Sequence, residues 1–260
     1  MHLEKLTFNL AYILLIGSSI LTGFGTLNSF PKEILALKYI LGIETCVTII
    51  ASIAYSFLIN SYLTKKNFDL TFYRYLDWFA TTPLLLISLI IYLSYLTNKY
   101  ENEKTIEKDD DTFNIILKDN KILIIILLNL LMLAFGYMGE SRVINYILAN
   151  ILGFIPFIIM LYIIWKNYCN QSNIIVFIVF SIIWSLYGIV YYFDNNNKNI
   201  AYNILDIIAK VGFGILIWYH VIQYKLENIN NLNNNNDNDN DNDNDNDNDN
   251  DNNGIILKEN

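Results

Sequence analysis

Charged residues, cysteines and histidines are all scarce in this chain. Only 16% of its residues are charged, and it has two cysteines and two histidines. Cys46 falls inside a long apolar run and Cys169 between two such runs, so free thiols are predicted rather than a disulfide framework. His2 and His220 fall near predicted helix ends, and neither is expected to do chemistry. No nucleotide-binding motif or attached catalytic domain is evident, which argues against an enzyme.

Long polar stretches are also lacking. The longest are residues 98–112 and the tail that follows Glu227, and both are too short and too biased in composition for a soluble domain. The tail, which repeats Asn and Asp, carries much of the net charge of −8. A segment of this kind cannot bury enough apolar surface to fold. We predict a membrane domain over residues 1–227 and a disordered tail over residues 228–260.

Apolar residues make up 54% of the chain and form long runs. Seven runs cover residues 8–27, 35–60, 71–97, 119–138, 144–166, 173–193 and 200–224. A membrane-spanning helix needs about 20 mostly apolar residues, and the first run is long enough to be such a helix rather than a cleaved signal peptide. The runs do not alternate apolar and polar positions as membrane β-barrel strands do. The predicted fold is an all-α membrane protein with a bundle of seven transmembrane helices.

Lysine and arginine are distributed unevenly between the two sides of this bundle. Cytoplasmic loops of membrane proteins carry the excess of these residues. With the N-terminus outside, the cytoplasmic side has Lys32, Lys38, Lys99, Lys104, Lys108, Lys118, Lys121, Lys166 and Lys225, and the outer side has Lys5, Lys65, Lys66, Arg142 and Lys198. The N-terminus is therefore predicted to be extracellular and the tail cytoplasmic.

Five ionisable residues fall within the apolar runs, where a charge is costly and points to function. They are Glu44, Arg74, Asp77, Asp206 and Lys210. Asp206 and Lys210 are four residues apart, and Arg74 and Asp77 are three apart, so each pair shares a helix face. The two helices together would present two carboxylates and two cations to one cavity. The alternative is a charge-neutral quartet that only holds the helices together.

Lys210 is the residue that favours a functional site. It lies about ten residues into its run, near the bilayer midplane, where its ammonium group cannot reach water. An amine in such a place is suited to condensing with an aldehyde, and the protonated imine would need Asp77 or Asp206 as its anionic partner. Nearby aromatic residues would line an apolar slot or simply form core: Trp78, Phe157, Trp184, Tyr187 and Tyr191.

Four motifs of the chain resemble those of the microbial (type 1) rhodopsins, which are seven-helix retinal proteins. The segment "RYLDWFATTPLLL" resembles the third-helix signature of this family, and "LDIIAKVGFGIL" resembles the seventh-helix signature around the retinal lysine. The segments "WSLYGIVYY" and "MLAFGYMGE" resemble the sixth-helix retinal box and the fourth helix of the proteorhodopsin branch. The whole looks most like the rhodopsins of giant viruses, which implies the membrane of a virus-infected host cell.

The resemblance implies a role for each matching residue. Lys210 would bind all-trans retinal covalently as a protonated Schiff base, with Asp77 as primary counterion and proton acceptor and Asp206 as second counterion. Arg74 would gate the extracellular half, and Thr81 would hydrogen-bond the acceptor. Residues matching the retinal pocket are Trp78, Thr82, Leu85, Met132, Gly136, Trp184, Tyr187 and Tyr191. The implied partners are membrane lipid, retinal and protons or monovalent cations; a homo-oligomer stays open, and nucleic acid has no role.

Several positions depart from the pattern of the family's proton pumps. Ser88 replaces the usual cytoplasmic carboxylate donor, so the return of a proton to the Schiff base is expected to be slow or to come through water. The extracellular release carboxylates are unmatched, and Asp194 is the nearest candidate. Gly188 replaces the usual sixth-helix proline, which is expected to loosen that helix.

Glu44 and Asn203 carry the main alternative. A glutamate in the second helix and an asparagine in the seventh resemble the pair that lines a constriction in channel-forming rhodopsins. The other interpretation of Glu44 is a hydrogen-bonded polar group that faces a neighbouring helix. The sequence thus supports an outward light-driven proton pump, a light-gated cation channel, or a sensory photoreceptor, in that order.

Overall fold

The computed structural model describes residues 2–28, 30–31, 34–65, 67–102 and 118–226. Within these ranges the chain forms seven helices and no strand. The helices are α1 (His2–Leu27), α2 (Leu35–Leu63), α3 (Asn67–Asn102), α4 (Asn120–Glu140), α5 (Tyr146–Tyr168), α6 (Ile174–Val190) and α7 (Asn195–Leu226). The predicted tail over residues 228–260 lies outside the described residues.

Six of the seven helices, all except α6, are long and apolar enough to cross a membrane. The α6 helix has 17 residues, about 25 Å at 1.5 Å per residue, which is shorter than a hydrocarbon core of about 30 Å. The prediction that this run reaches residue 193 was therefore wrong, because the chain turns after Val190. Conversely, α3 begins before residue 71 and α7 before residue 200, so both are longer than predicted.

Asparagine and aspartate side chains start three of the helices. Asp119 accepts a hydrogen bond from the backbone N–H of Lys121 at the start of α4, and Asn145 accepts from two backbone N–H groups at the start of α5. Asp194 accepts from the backbone N–H of Asn197 at the start of α7. Such caps satisfy backbone donors that have no partner within the helix. They explain why α7 begins in a polar stretch that hydropathy alone does not count as helix.

Helices that follow one another pack together through most of the bundle, and α1 also packs against α7. One apolar cluster joins α1, α2, α3 and α7 through residues such as Phe8, Tyr55 and Val211. A second joins α3, α4, α6 and α7 through residues such as Trp78 and Leu133. The α3 helix is the most buried of the long helices. Side chains from α3 and α7 therefore point into a shared interior.

The helices α4 and α5 approach each other closely at Gly139. A Cβ atom built on Gly139 would lie only 2.4 Å from the Cβ of Ala149, so no larger residue fits without moving a backbone. Glycine is thus required here by the close approach of the two helices. The contact holds α4 and α5 together as one wall of the bundle.

Large apolar side chains are exposed on the outer faces of the helices. Among them are Phe24 on α1, Ile53 on α2, Ile158 on α5 and Ile182 on α6. A soluble protein rarely exposes apolar side chains so extensively, whereas a hydrocarbon environment favours them. The exposed surface is thus as expected for an integral multi-pass membrane protein.

Asn173 joins three helices at the end of the bundle opposite the N-terminus. Its side-chain Nδ2 donates to the carbonyl of Leu93 at 2.9 Å, the hydroxyl of Thr97 at 3.1 Å and the carbonyl of Tyr168 at 2.9 Å. Its Oδ1 accepts from the backbone N–H of Asn170 at 2.9 Å, and the residue is fully buried. This one amide fixes the short α5–α6 connection against α3.

We predict that Asn173→Ala lowers the free energy of unfolding by about 1–3 kcal/mol, since it leaves buried polar groups without partners. Thermal unfolding in detergent micelles measures the change. Asn167→Ala is the control, because Asn167 is exposed and donates only to a carbonyl of its own helix. Equal losses in the two variants would contradict the proposed role of Asn173.

Candidate functional site

Lys210 lies in a widened turn of α7. Residues Ile207–Gly212 form a π-helical segment within this otherwise α-helical element, a feature found mainly at functional sites. The lysine is 1% exposed, so its amine lies in the interior of the bundle. An amine held there needs nearby anions if it is to carry a charge.

Two carboxylates meet this amine. Lys210 Nζ is 2.5 Å from Asp77 Oδ2 on α3 and 3.8 Å from Asp206 Oδ1 one turn earlier on α7. Arg74 Nη1 lies 3.9 Å from Asp206 Oδ2. The structure thus brings together all four members of the quartet predicted from sequence spacing, and its two positive and two negative charges balance.

The two carboxylates differ in their other contacts. Asp206 accepts hydrogen bonds from the hydroxyl groups of Tyr55 at 2.8 Å and Tyr187 at 2.9 Å, and from the indole N–H of Trp78 at 3.2 Å. Asp77 accepts from Lys210, and its Oδ1 has no hydrogen-bond partner. Asp206 is therefore fixed in place by three donors, whereas Asp77 has one donor, Lys210, among the described side chains.

Thr81 does not hydrogen-bond the Asp77 carboxylate. Its hydroxyl donates instead to the backbone carbonyl of Asp77 at 2.8 Å, as threonines inside helices commonly do with the residue four positions earlier. The expectation that Thr81 contacts the acceptor carboxylate was therefore wrong for this structure. Nothing among the described side chains replaces that contact at Asp77 Oδ1.

A largely apolar cavity opens beside Lys210. Its empty space, with the open solvent at its mouth included, is about 820 Å³. All ten residues predicted to contact the cofactor line it, namely Trp78, Thr82, Leu85, Met132, Gly136, Phe157, Trp184, Tyr187, Tyr191 and Lys210. The aromatic residues thus surround a cavity and do not only fill a core.

Other lining residues escaped the sequence analysis. Tyr75, Asn150, Phe154, Tyr202 and Ala209 also face the cavity. Several lie one helical turn from a predicted residue, as Tyr75 does from Trp78 and Phe154 from Phe157. Helical periodicity could therefore have found them, whereas the motifs alone did not.

Arg74 leads from the charged quartet to the end of the bundle that holds the N-terminus, here called the N-terminal face. Its Nη2 donates to Asn203 Oδ1 at 3.1 Å and to Asn199 Oδ1 at 3.4 Å. Asn203 Nδ2 donates to Thr7 at 3.1 Å, and Asn199 Nδ2 donates to Glu4 at 2.9 Å. A continuous chain of polar side chains therefore runs from Asp206 to α1.

Glu44 lies on the other side of Lys210. It is fully buried, faces Ser88 and lies within electrostatic range of Lys210. Tyr55 on α2 donates a hydrogen bond to Asn203. Glu44 lies eleven residues before Tyr55 on the same helix, which is about 16 Å along the helix axis. Glu44 and Asn203 therefore lie on opposite sides of Lys210 and do not form a shared constriction.

Asp194 lies apart from the polar chain. It is exposed, and its carboxylate accepts hydrogen bonds from the backbone N–H and side-chain amide of Asn197. The backbone hydrogen bond from Asn197 is the main reason that the pKa of Asp194 is lowered from its usual value. The structure gives Asp194 a capping position at the start of α7, not a place on an internal proton path.

Gly188 does not interrupt α6, which is helical on both sides of it. A Cβ atom built there would lie 2.5 Å from the ring of Phe154, and its carbonyl accepts a hydrogen bond from Asn150 at 3.1 Å. The expectation of a loosened helix was therefore wrong. Gly188 instead leaves room for the Phe154 ring, which lines the cavity.

The sequence matches the profile of the bacteriorhodopsin-like protein family over residues 3–224. The chain belongs to this family. The family predicted from the sequence motifs is thus confirmed. Members of the family are light-driven transporters or sensors and not enzymes, in agreement with the sequence analysis.

Two curated relatives in the family are similar to part of the chain. Both are green-light absorbing proteorhodopsins, one from the gamma-proteobacterium EBAC31A08 and one from an unknown prokaryotic organism. Each is 27% identical in an alignment of 169 residues, and the alignment covers 57% of this chain and 60% of the relative. The alignment thus spans less than two thirds of the length of these relatives.

Solved structures of the family share the fold. Viral rhodopsin OLPVRII is 26% identical, with a TM-score of 0.70 over 85% of this chain and 99% of that chain. The blue light-absorbing proteorhodopsin from Med12 is 23% identical, with a TM-score of 0.65 over 85% of this chain and 98% of that one. These matches confirm the seven-helix bundle and the likeness to viral rhodopsins.

Membership of the family implies a retinal chromophore, and the site fits one. Retinal has an aldehyde and a long apolar polyene. The cavity offers one buried amine at Lys210, carboxylates beside that amine, and apolar and aromatic walls. Asn129, whose side chain donates to the Thr82 hydroxyl at 2.6 Å, adds a polar group beside the wall.

We predict that Gly188→Ala impairs retinal uptake, because the added methyl group forces Phe154 into the cavity or strains α6. Overpacking of this kind costs about 1–3 kcal/mol. The measurement is the amount of coloured protein formed when retinal is titrated into the protein made without it. Gly17→Ala is the matched control, since nothing lies within 4 Å of a Cβ atom at Gly17. Equal pigment yields from the two variants would refute the prediction.

Proposed function

We propose that the chain is a light-driven outward proton pump with its N-terminal face outside the cell and its tail in the cytoplasm. Retinal would be joined to Lys210 Nζ. The observation that carries the proposal is the 2.5 Å contact between Lys210 Nζ and Asp77 Oδ2. An acceptor within hydrogen-bonding reach of the amine can take its proton directly.

When bound, retinal supplies the light absorption and the change of shape that starts each cycle. The proton then passes from Lys210 Nζ to the Asp77 carboxylate, whose second oxygen has no hydrogen-bond partner. Asp206 has three donors, Tyr55, Trp78 and Tyr187, so it would stabilise the site as a fixed negative charge. Proton transfer to Asp77 and not to Asp206 follows from this difference.

The direction of transport is supported by the polar groups on either side of Lys210. On the N-terminal face, Arg74 connects the site to Asn203 and Asn199 by direct hydrogen bonds. On the opposite side, Glu44 and Ser88 are fully buried. The hydrogen-bonded series that starts at Arg74, beside the charged quartet, therefore supports release of the proton toward the N-terminal face.

Glu44 supplies the function that Ser88 cannot. Its carboxyl group faces Ser88 and lies in electrostatic range of Lys210, so we assign it the return of a proton to Lys210 Nζ. The pump therefore does not need a carboxylate at position 88 itself.

A light-gated cation channel is the second candidate, with monovalent cations as its cargo. Buried polar side chains occur on both sides of Lys210, with Asn203 toward the N-terminal face and Glu44 and Ser88 on the opposite side. This arrangement favours a channel. The separation of Glu44 and Asn203 counts against it, because the two residues do not narrow a single gate. The pump remains the better supported function.

The deciding experiment is a photocurrent measurement in voltage-clamped cells that express the protein with retinal. A pump should give an outward current that keeps its sign at all voltages and ignores the sodium gradient. The Asp77→Asn variant should lose this current, and its absorption should shift to the red because the counterion charge is gone. Lys210→Ala should form no pigment.

Three results would contradict these assignments. A current that reverses with the ion gradient would replace the pump by the channel. An unshifted Asp77→Asn spectrum would make Asp206 the main counterion. Coloured Lys210→Ala protein would overturn the retinal assignment.

The return of the proton gives a separate prediction. Glu44→Gln should slow the last phase of the photocycle by about 10²-fold or more, the usual contribution of a positioned acid or base. Flash spectroscopy measures this decay, and added azide, a small proton carrier, should restore it. Thr48→Val is the control, since Thr48 lies one turn away and donates only to backbone carbonyls. An unchanged decay in Glu44→Gln would remove Glu44 from the path.

A further inference from the structure

Glu4 is a buried carboxylate that the proton path described above does not use. It lies in the first turn of α1 and is 4% exposed. Its Oε1 accepts a hydrogen bond from Asn199 Nδ2 at 2.9 Å, and its carboxylate also interacts with the hydroxyl of Tyr62 on α2. Burying an acidic group is costly unless it is hydrogen-bonded, and here α2 and α7 both provide partners.

Glu4 connects to the centre of the site through a single residue. Asn199 donates to Glu4 with its Nδ2 and accepts from Arg74 Nη2 with its Oδ1 at 3.4 Å. Arg74 in turn lies beside Asp206, one of the two carboxylates next to Lys210. The side chains thus form an unbroken series from the charged quartet to the first turn of α1.

Two other described carboxylates on the N-terminal face are engaged elsewhere. Glu140 forms an ion pair with Lys198 at 3.0 Å, and Tyr146 also contacts that lysine. Asp194 is exposed and caps α7. Neither of these two carboxylates has a described hydrogen bond to Arg74, Asn199 or Asn203, whereas Glu4 accepts one from Asn199.

We propose that Glu4 is the outlet carboxylate of the pump, the group from which the transported proton passes into the outer medium. This inference rests on the pump proposed above. The Asp77 carboxyl group gives up a proton and the Glu4 carboxylate takes one up, and the two events are coupled through the charge of Arg74 and the Asn199 amide that lie between them. The proton bound by Glu4 then passes to water. Asp77 and Glu4 each gain one proton and lose one, so both end the cycle in their initial states.

The structure explains why a carboxylate at this place would speed the exit. Glu4 is the point where the buried polar series reaches the end of the bundle, and a positioned acid or base typically speeds proton transfer by about 10²–10⁴-fold. Glu4 is connected to the charged Arg74 through Asn199, and the phenol of Tyr62 on α2 also faces it. Without the Glu4 carboxylate, the proton would have to pass from the buried polar series to the outer medium with no group to bind it on the way.

The test uses the full-length, retinal-loaded protein in lipid nanodiscs, with a pH-sensitive dye in the medium. After a flash, Glu4→Gln should delay the appearance of protons by roughly tenfold or more, while the transfer to Asp77 keeps its rate. Asn199→Leu, which breaks the connection without touching the carboxyl group, should give a similar delay. Glu4→Asp should restore part of the rate. Visible absorption verifies that each variant is folded.

Glu140→Gln is the matched control, because it makes the same chemical change on the same face at a carboxylate already paired with Lys198. Its release time should stay unchanged. Normal proton release in both Glu4→Gln and Asn199→Leu would overturn the inference. A release delay in Asp194→Asn as long as the delay in Glu4→Gln would also overturn it.

Time-resolved infrared spectroscopy separates this inference from the pump itself. Transient protonation of Glu4 should give a carboxylic C=O band that Glu4→Gln lacks. If that band is present while the wild-type protein releases no net proton, the pump fails, and Glu4 is a group that takes up and gives back a proton without being the outlet of a pump. A wild-type spectrum without a Glu4 band refutes the assignment whether or not protons are pumped.

Discussion

The rest of the structure depends on the pairing of a buried ammonium group with two carboxylates. A lysine near the middle of a membrane helix costs about 2.5–3.5 kcal/mol on insertion scales, so Lys210 needs anions close by. Asp77 on α3 and Asp206 on α7 supply them. The second anion then requires a second cation, and Arg74 provides it. The position of α3 against α7 is fixed by this balance of charge as well as by apolar packing.

The two carboxylates, Asp77 and Asp206, are alike in charge but differ in their hydrogen bonds. Three donors hold Asp206, while Asp77 has an oxygen with no partner. One carboxylate is therefore suited to stay charged and the other to take up a proton, although both lie within 4 Å of the same amine. In the proposed pump, the polar series through Arg74 and the asparagines would give the released proton a preferred side. The direction of transport would then follow from the unequal contacts around one nitrogen.

Features that depend on local sequence could be predicted, and features that depend on neighbouring helices could not. The apolar runs, the pairing of Asp77 with Lys210 and the ten cavity residues follow from spacing and motif. The donors to Asp206 come partly from α2 and α6, and no pattern within α7 indicates them. Glu4 was missed for the same reason, since its partners are on other helices. Thr81 was misassigned because its hydroxyl has a choice between a carboxylate and its own backbone, which the sequence does not record.

The same geometry bears on which cargo can pass. A proton moves between groups that already touch, and the contacts from Lys210 to Asp77 and from Arg74 to Asn199 are of that kind. A sodium ion needs a gap as wide as itself past both Lys210 and Arg74, and each of these cations already lies within 4 Å of a carboxylate. Opening such a gap would separate buried charges from their partners, which typically costs about 3–5 kcal/mol for each pair. The compact quartet is therefore a further argument for the proposed proton pump over the cation channel.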